Sequence, residues 1–355
     1  MTKYYTRACN FYHGAYAKSL IKKKFALPLC GGQNIAFDKI EIIKRKNNKI
    51  TSKTISVKKI NTLNKLLKKK IKQDLKKIVL KRKNFLNNVN FLEPSIMGIL
   101  NLTPDSFSDG GTFNSQKKAQ NHILNMIKAG ANIIDIGGES TRPGSKTILP
   151  NVEWKRVAKT LKNFKKKYKN TCLSIDTRKS EVMIKAIKCR ADLINDVSGF
   201  KYENQTLSKL KRYNIPKVLH HMQGTPNTMQ KKPKYQNVLL DIYDFFEKGI
   251  QKIDNKQIIL DPGIGFGKNL KHNLTLISRI SLFHSLGLPI LIGTSRKRFI
   301  SQISGKNDSK ERVGGTIASV LFLLSQGVQV FRVHNVNEVK QGILVFRKIL
   351  SNFKN

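Results

Sequence analysis

Side chains able to do chemistry stand at intervals along this 355-residue chain, each closing a short apolar run. They include the carboxylates Asp135, Asp176 and Asp261, the amides Asn101 and Asn195, the hydroxyl of Ser295, and the cations Lys297 and Arg332 with His334. Arg332 and His334 are two apart, so on a strand they project to one side and can clamp phosphate oxygens through charge-assisted hydrogen bonds. His220 and His221 are adjacent and point oppositely, which argues against a joint metal site. Gly263-Ile264-Gly265-Phe266-Gly267 lacks the spacing G-x-G-x-x-G, and a nicotinamide cofactor is disfavoured accordingly. No Ser/His/Asp or Cys/His arrangement has a recognisable local spacing. Cys9, Cys30, Cys172 and Cys189 form no C-x-x-C pair or metal-ligand spacing, and read as reduced cytosolic thiols.

The runs that carry these residues repeat eight times between Ile96 and Val336: they end at Asn101, Asp135, Asp176, Asn195-Asp196, His220-His221, Asp261, Gly293-Thr294-Ser295 and Arg332-Val333-His334. A strand buried on both faces reads as a continuous apolar run, and parallel strands need a crossover helix between them. Helical segments are predicted near 116–129, 152–168, 179–188, 205–213, 238–253, 270–285, 310–324 and 337–350. The alternation predicts an α/β fold, a (β/α)8 TIM barrel, with the polar ends gathered at one mouth. A doubly wound open sheet is the alternative.

Residues 91–355 are enough for the barrel and can bury a large core; residues 1–90 form a short basic α+β extension joined through a linker at 81–90. The turn signal Gly31-Gly32 precedes one or two strands within 35–44, and apolar residues at helical spacing from Leu63 to Val79 predict a basic amphipathic helix. That helix reads as a solvated face docked on its own domain, with membrane-surface or partner binding as the alternative. The net charge of +45 suggests a polyanionic partner. It is spread everywhere, however: residues 1–90 hold 24 Lys+Arg against 3 Asp+Glu, and the remainder 43 against 19. The excess is mostly lysine, accompanied by Asn and Ile, so nucleic-acid binding is not read as the main function. No run approaches the ~20 apolar residues of a membrane span, and the first residues have no apolar secretory core. The chain is expected to be cytoplasmic, although residues 1–30 carry no acidic residue and leave an organelle transit peptide open.

Two loops are longer than a minimal turn and rich in hydroxyls and carboxylates: Asn101-Leu102-Thr103-Pro104-Asp105-Ser106-Phe107-Ser108-Asp109-Gly110-Gly111, and Gly137-Gly138-Glu139-Ser140-Thr141-Arg142-Pro143-Gly144-Ser145. Together with Asp176-Thr177-Arg178-Lys179, Asn195-Asp196-Val197-Ser198-Gly199, Asp261 to Gly267, Ser295-Arg296-Lys297 and Arg332-Val333-His334, they resemble the dihydropteroate synthase family, in order, from about Ile96 to the end of the eighth helix.

The resemblance implies a folate-pathway transferase that joins a dihydropterin methyl diphosphate to p-aminobenzoate with release of diphosphate. It implies that Asp176, Asn195, Asp261 and Lys297, with Asp135, Met222 and Phe266, hold the pterin. A ring with an amidine-like donor edge and a carbonyl needs such carboxylates, an amide and a cation. Arg332, His334 and Ser295 would take the diphosphate, and Asn101 would give an oxygen to Mg²⁺, bound mainly with the diphosphate. Asp105 and Phe107 of the first loop and Thr141 and Arg142 of the second would form a lid that excludes water; Asp105→Ala is predicted to abolish turnover while pterin diphosphate still binds. The aminobenzoate carboxylate would meet backbone amides after the seventh strand. There Arg298 stands where some family members carry Ser. Where His220 sits the family usually shows an apolar residue, and no task is assigned to it. A homodimer through barrel helices is a further implication. The alternatives are a pterin methyltransferase of the methyltetrahydrofolate type, and a basic binding protein that keeps the barrel without chemistry.

Overall fold

The computed structural model describes residues 2–47, 49–103, 112–142, 144–254 and 256–352, with the side chains of 112–115 left out. The extension comprises β1 (Thr2–His13), α1 (Gly14–Lys22), β2 (Leu27–Pro28), β3 (Ile35–Lys46), β4 (Lys49–Ser56) and α2 (Lys65–Val79). β3 pairs antiparallel with β1, β2 and β4. Leu67, Ile71, Leu75 and Ile78 recur at helical spacing on α2 and pack on Phe37, Ile40 and Ile42 of β3. The Asn64 side chain accepts from Leu67 N at 3.0 Å and starts the helix. Thr2–His13 form a strand of this sheet, paired along its length with β3.

The extension is fastened to the barrel by charge and by packing. Lys3 reaches Asp244 at 2.7 Å, and Arg45 reaches Asp241 at 2.7 Å. Tyr5 and Ile43 are buried within the main barrel core. Residues 81–90, expected as a linker, instead lie under the barrel. Leu86 and Val89, with Phe91, are buried against its lowest interior layer.

The barrel itself comprises β5 (Ser95–Asn101), α3 (Thr112–Lys128), β6 (Ile133–Gly137), α4 (Pro150–Lys167), β7 (Cys172–Asp176), α5 (Ser180–Lys188), β8 (Leu193–Asp196), α6 (Thr206–Leu210), β9 (Lys217–His220), α7 (Val238–Lys252), β10 (Ile258–Asp261), α8 (Leu270–Ser278), β11 (Leu291–Ile292), α9 (Arg298–Ser304), α10 (Val313–Ser325), β12 (Val330–Val333) and α11 (Val336–Ser351). The strands run parallel in the order β10-β9-β8-β7-β6-β5-β12-β11. A parallel bridge between Leu260 and Ile290 joins the two ends and closes the (β/α)8 barrel. α9 was not expected: it is seven residues long and sits between strand and helix without disturbing the alternation.

Strand alternation then gives each strand successive inward ranks, called layers here, which are staggered around the barrel: Met97 is level with Arg332 and Leu193 with Ser174. Met97, Ile133, Cys172, Leu193, Val218, Ile259, Leu291 and Val330, one from each strand, form the apolar bottom with the plug from 81–91. Each fully buried aliphatic side chain there contributes about 1.5–3 kcal/mol. Two residues further on come Ile99, Asp135, Ser174, Asn195, His220, Asp261, Gly293 and Arg332. Two further again come Asn101, Gly137, Asp176, Val197, Met222, Gly263, Ser295 and His334. The fold thus places an apolar floor beneath two polar storeys.

Candidate active site

The second layer is held by one carboxylate. Asp135, fully buried, accepts from Ser174 Oγ at 2.6 Å, Asn195 Nδ2 at 2.9 Å and Arg332 Nε at 2.7 Å. Both its oxygens are engaged, so it orients its neighbours and does not itself reach the mouth. Arg332 Nη2 also donates to Asp176 Oδ2 at 2.7 Å. The guanidinium expected to face phosphate is thus already forked between two carboxylates.

Two acceptors are left over. Asp176 Oδ1 and Asn195 Oδ1 are buried and have no hydrogen-bond partner among the described residues. An acceptor in that condition costs roughly 1–3 kcal/mol unless a ligand donates to it. A cavity of about 60 Å³ opens beside Asn195, lined also by Ile99, Val197, His220, Asp261, Phe266, Ser295, Lys297, Arg332 and His334. A second cavity, about 600 Å³, lies at the opposite end around Leu29, Phe91, Gln329 and Leu344, away from the polar layers.

The loop after β10 forms one wall. Gly263 has φ +68°, and a Cβ there would come within 2.0 Å of the His221 carbonyl oxygen, so only glycine fits. Gly263 N donates to Asp261 Oδ1 at 2.8 Å and holds that carboxylate upright. A Cβ on Gly265 would lie 3.1 Å from Lys297 Cδ; its absence lets the lysine stem cross the loop, with Nζ 4.1 Å from the Phe266 ring centre. Met222 packs with Val197, Met229 and Phe266 at the edge of this wall.

Desolvation governs the charges here. Burial pushes Asp176 up to about 7, against the pull of Arg332, and Asp261 up to about 6. Burial and then Arg332 bring Lys297 down to about 8. Burial, Arg332 and Arg296 bring His334 down to about 3. His334 is therefore neutral near pH 7, and the expected charge-assisted clamp loses its second cation. Ser295 Oγ lies 3.0 Å from His334 Nδ1 and accepts from His334 N at 3.2 Å. A hydroxyl offers one hydrogen and two lone pairs, so Ser295 Oγ fits either tautomer of the His334 ring.

Thr141 is half-buried and Arg142 exposed in the second loop, outside the cavity wall. That loop is rooted by Glu139, which binds Arg178 Nε and Lys179 Nζ, each at 2.9 Å, and touches the fifth loop where Gly144 N donates to Pro226 O at 3.2 Å. Asp105 and Phe107 lie outside the described residues. Asn101 ends β5, with its Oδ1 on the side of Gly137 where that residue lacks a side chain. Among the described residues no cluster of three His, Cys, Asp or Glu could hold a metal. A lone amide oxygen at a half-buried strand end suits a hard cation whose other ligands are phosphate and water.

Sequence reasoning missed Ile99 and left His220 without a task, yet both line the cavity. Lys268 Nζ is buried against His221 Nδ1 at 3.1 Å and the Phe266 carbonyl at 2.8 Å. The phase of the strand was the missing signal for Ile99, whereas His220 shares the side of Met222 by alternation.

A closed parallel barrel whose mouth carries unsatisfied acceptors and a desolvated lysine belongs to the class of barrel enzymes that bind a flat, donor-edged heterocycle. Residues 97–334 match the family described as pterin binding enzyme. The dihydropteroate synthase of Escherichia coli (strain K12) is 40% identical over 273 residues, covering 76% of this chain and 96% of that protein. That of Bacillus subtilis (strain 168) is 40% identical over 245 residues, covering 69% and 84%. Among solved structures, the Yersinia pestis dihydropteroate synthase in a sulfonamide drug complex superposes with a TM-score of 0.69 at 38% identity, covering 74% of this chain and 96% of that one. The Xanthomonas albilineans enzyme in complex with 7,8-dihydropteroate gives 0.66 at 32%, covering 74% and 95%. The chain belongs to the pterin-binding enzymes and, within them, to the dihydropteroate synthase family of transferases.

Proposed function

We propose that the chain condenses (7,8-dihydropterin-6-yl)methyl diphosphate with 4-aminobenzoate, giving 7,8-dihydropteroate and diphosphate, and that the two polar layers divide that substrate between them. The observation that carries the reading is the pair of orphaned acceptors: Asn195 Oδ1, on the residue that lines the cavity with Asp261 and Lys297, and Asp176 Oδ1, on the carboxylate that Arg332 of the same cavity wall holds by its other oxygen. A pterin presents ring N–H groups and an exocyclic amine to the three acceptors and a carbonyl to the ammonium. Asp135 acts through Arg332 and Asn195 as a positioning residue, and Phe266 and Met222 supply apolar contact to the ring.

His334, Ser295 and the outer edge of Arg332 face the diphosphate, with Arg142 and Thr141 closing from the second loop and Asp105 and Phe107 from the first. Asn101 would hold Mg²⁺ together with the diphosphate, and a bound Mg²⁺ would neutralise charge on the leaving group. The C–O bond at the exocyclic methylene breaks with its electron pair passing to diphosphate. The resulting cation is delocalised into the pterin ring, held between acceptors that favour positive charge. The aniline nitrogen then bonds to the methylene and releases a proton. Its carboxylate meets the segment from Arg296 to Arg298 at the start of α9. The test is a diphosphate-release assay: release must require both 4-aminobenzoate and Mg²⁺, and no release from pure folded protein would defeat the assignment.

The same reading extends to organisation. Residues 1–90 serve as a small domain with its plug and residues 91–355 as the catalytic barrel, working in the cytoplasm without nucleic acid or membrane as partner. The barrel pairs with a second copy through α10 and α11. Phe322, Leu344, Val345 and Ile349 support this, since all lie about half exposed on those neighbouring helices.

A further inference from the structure

We propose that His220 is a substrate-binding residue of the pterin site: its Nε2, together with Asp261 Oδ2, accepts hydrogen bonds from the amine-bearing donor edge of the heterocycle. The proposal rests on the reading of the mouth as a pterin site and adds a selectivity element to it.

His220 is the inward residue of the second layer on β9, directly above Val218. Its Nδ1 lies 2.8 Å from the Val197 carbonyl oxygen. A carbonyl only accepts, so Nδ1 carries the hydrogen and Nε2 keeps its lone pair. Burial, reinforced by the charges of Lys268 and Lys297, holds the imidazole well below its usual range and keeps it neutral.

The ring has little freedom to turn away. Phe266 meets it edge-to-face with 4.7 Å between centres, and the space taken by Cε1 and Nε2 is the space a Cβ on Gly263 would need, at 2.9 and 3.1 Å. Across the floor, Asp261 spends Oδ1 on the Gly263 amide, and its Oδ2 stands 3.9 Å from His220 Nε2. Two lone pairs at that separation cannot bond to each other. A group with two adjacent hydrogens, such as an exocyclic amine beside a ring N–H, satisfies both. A ring without the amine leaves Nε2 desolvated and unpaired, and selectivity comes from that penalty.

The test compares full-length protein with His220→Met and His220→Gln, titrated with pterin and with the same pteridine lacking the 2-amino group. His220→Met should weaken pterin binding about tenfold, leave the desamino compound within twofold, and leave KM for 4-aminobenzoate within twofold. His220→Gln, which restores an acceptor, should recover part of the loss and carries the test if the methionine variant fails to fold. Equal losses for the two ligands would make His220 a packing residue, and no loss for either would overturn the proposal outright. If the unaltered protein binds neither pteridine, the pterin reading falls first and this proposal falls with it.

Discussion

Arg332 and Asp135 are joined by a charged hydrogen bond of 2.7 Å from Nε to Oδ2, and Asn195 hangs from the same oxygen at 2.9 Å. One fully buried carboxylate therefore sets the place of both an anion-facing cation and a ring-facing amide. Asp135→Ala should lower kcat/KM on the order of a hundredfold, because displacement of positioning groups by about 1 Å has that effect. It should also lower stability by about 3–5 kcal/mol, the usual result of stripping one partner from a buried pair. Steady-state kinetics and urea unfolding read the two losses separately. An unchanged KM for pterin diphosphate with unchanged kcat would remove Asp135 from the positioning role.

Asp261 is held at about 6 in the folded chain, above its unfolded value near 3.9. The folded state then binds more protons than the unfolded one between those values, so this group takes stability away as pH rises from about 4 to 6. Asp261→Asn, which keeps the acceptor for Gly263 N, should be more stable than the unaltered chain by roughly 2–3 kcal/mol at pH 8. The difference should vanish near pH 4. Turnover should collapse in the same variant. Thermal melts across that pH range decide it, and a variant less stable at pH 8 would contradict the sign.

Phe91 fills the underside of the barrel with Leu86 and Val89, four residues before the first barrel strand. Phe91→Ala should cost about 3–5 kcal/mol through the cavity left behind. Since Phe91, Leu86 and Val89 pack on the apolar layer beneath the polar ones, KM values should stay within twofold at temperatures where the variant is folded. A large KM change would mean that the extension reaches the mouth.

The exposed apolar side chains of α10 and α11 give the assembly a direct check. Phe322→Glu combined with Ile349→Glu should convert a dimer to a monomer in light scattering, with the far-UV spectrum unchanged. A monomer before substitution would dismiss the pairing.

The polar residues were legible because strands buried on both faces carry few polar side chains, and here most stand at or near the carboxyl ends, with Asp135 inside β6 and Ser174 inside β7. Asp176, Asn195, Asp261, Lys297 and Arg332 stood out for that reason, and the structure brings them into one mouth. The inward phase was not legible, because a run apolar on both faces carries no period-two signal. Asn195 and its neighbour Asp196 look alike in sequence. One reaches the cavity, while the other caps Ser198 N at 2.7 Å and Phe200 N at 2.9 Å. His220 and His221 were equally ambiguous. Leu86, Val89 and Phe91 have no regular spacing, so a plug read as a linker. The short α9 lay hidden between a strand and a helix.

The central claim is that the second and third barrel layers make dihydropteroate from a pterin diphosphate. The most direct measurement is chromatographic quantification of 7,8-dihydropteroate formed by the purified full-length chain, beside Asn195→Ala and Lys297→Ala variants of unchanged melting behaviour. The account predicts product in step with diphosphate for the unaltered chain and a loss on the order of a hundredfold or more for each variant. Absence of product from the folded chain, or variants that turn over as it does, would contradict it.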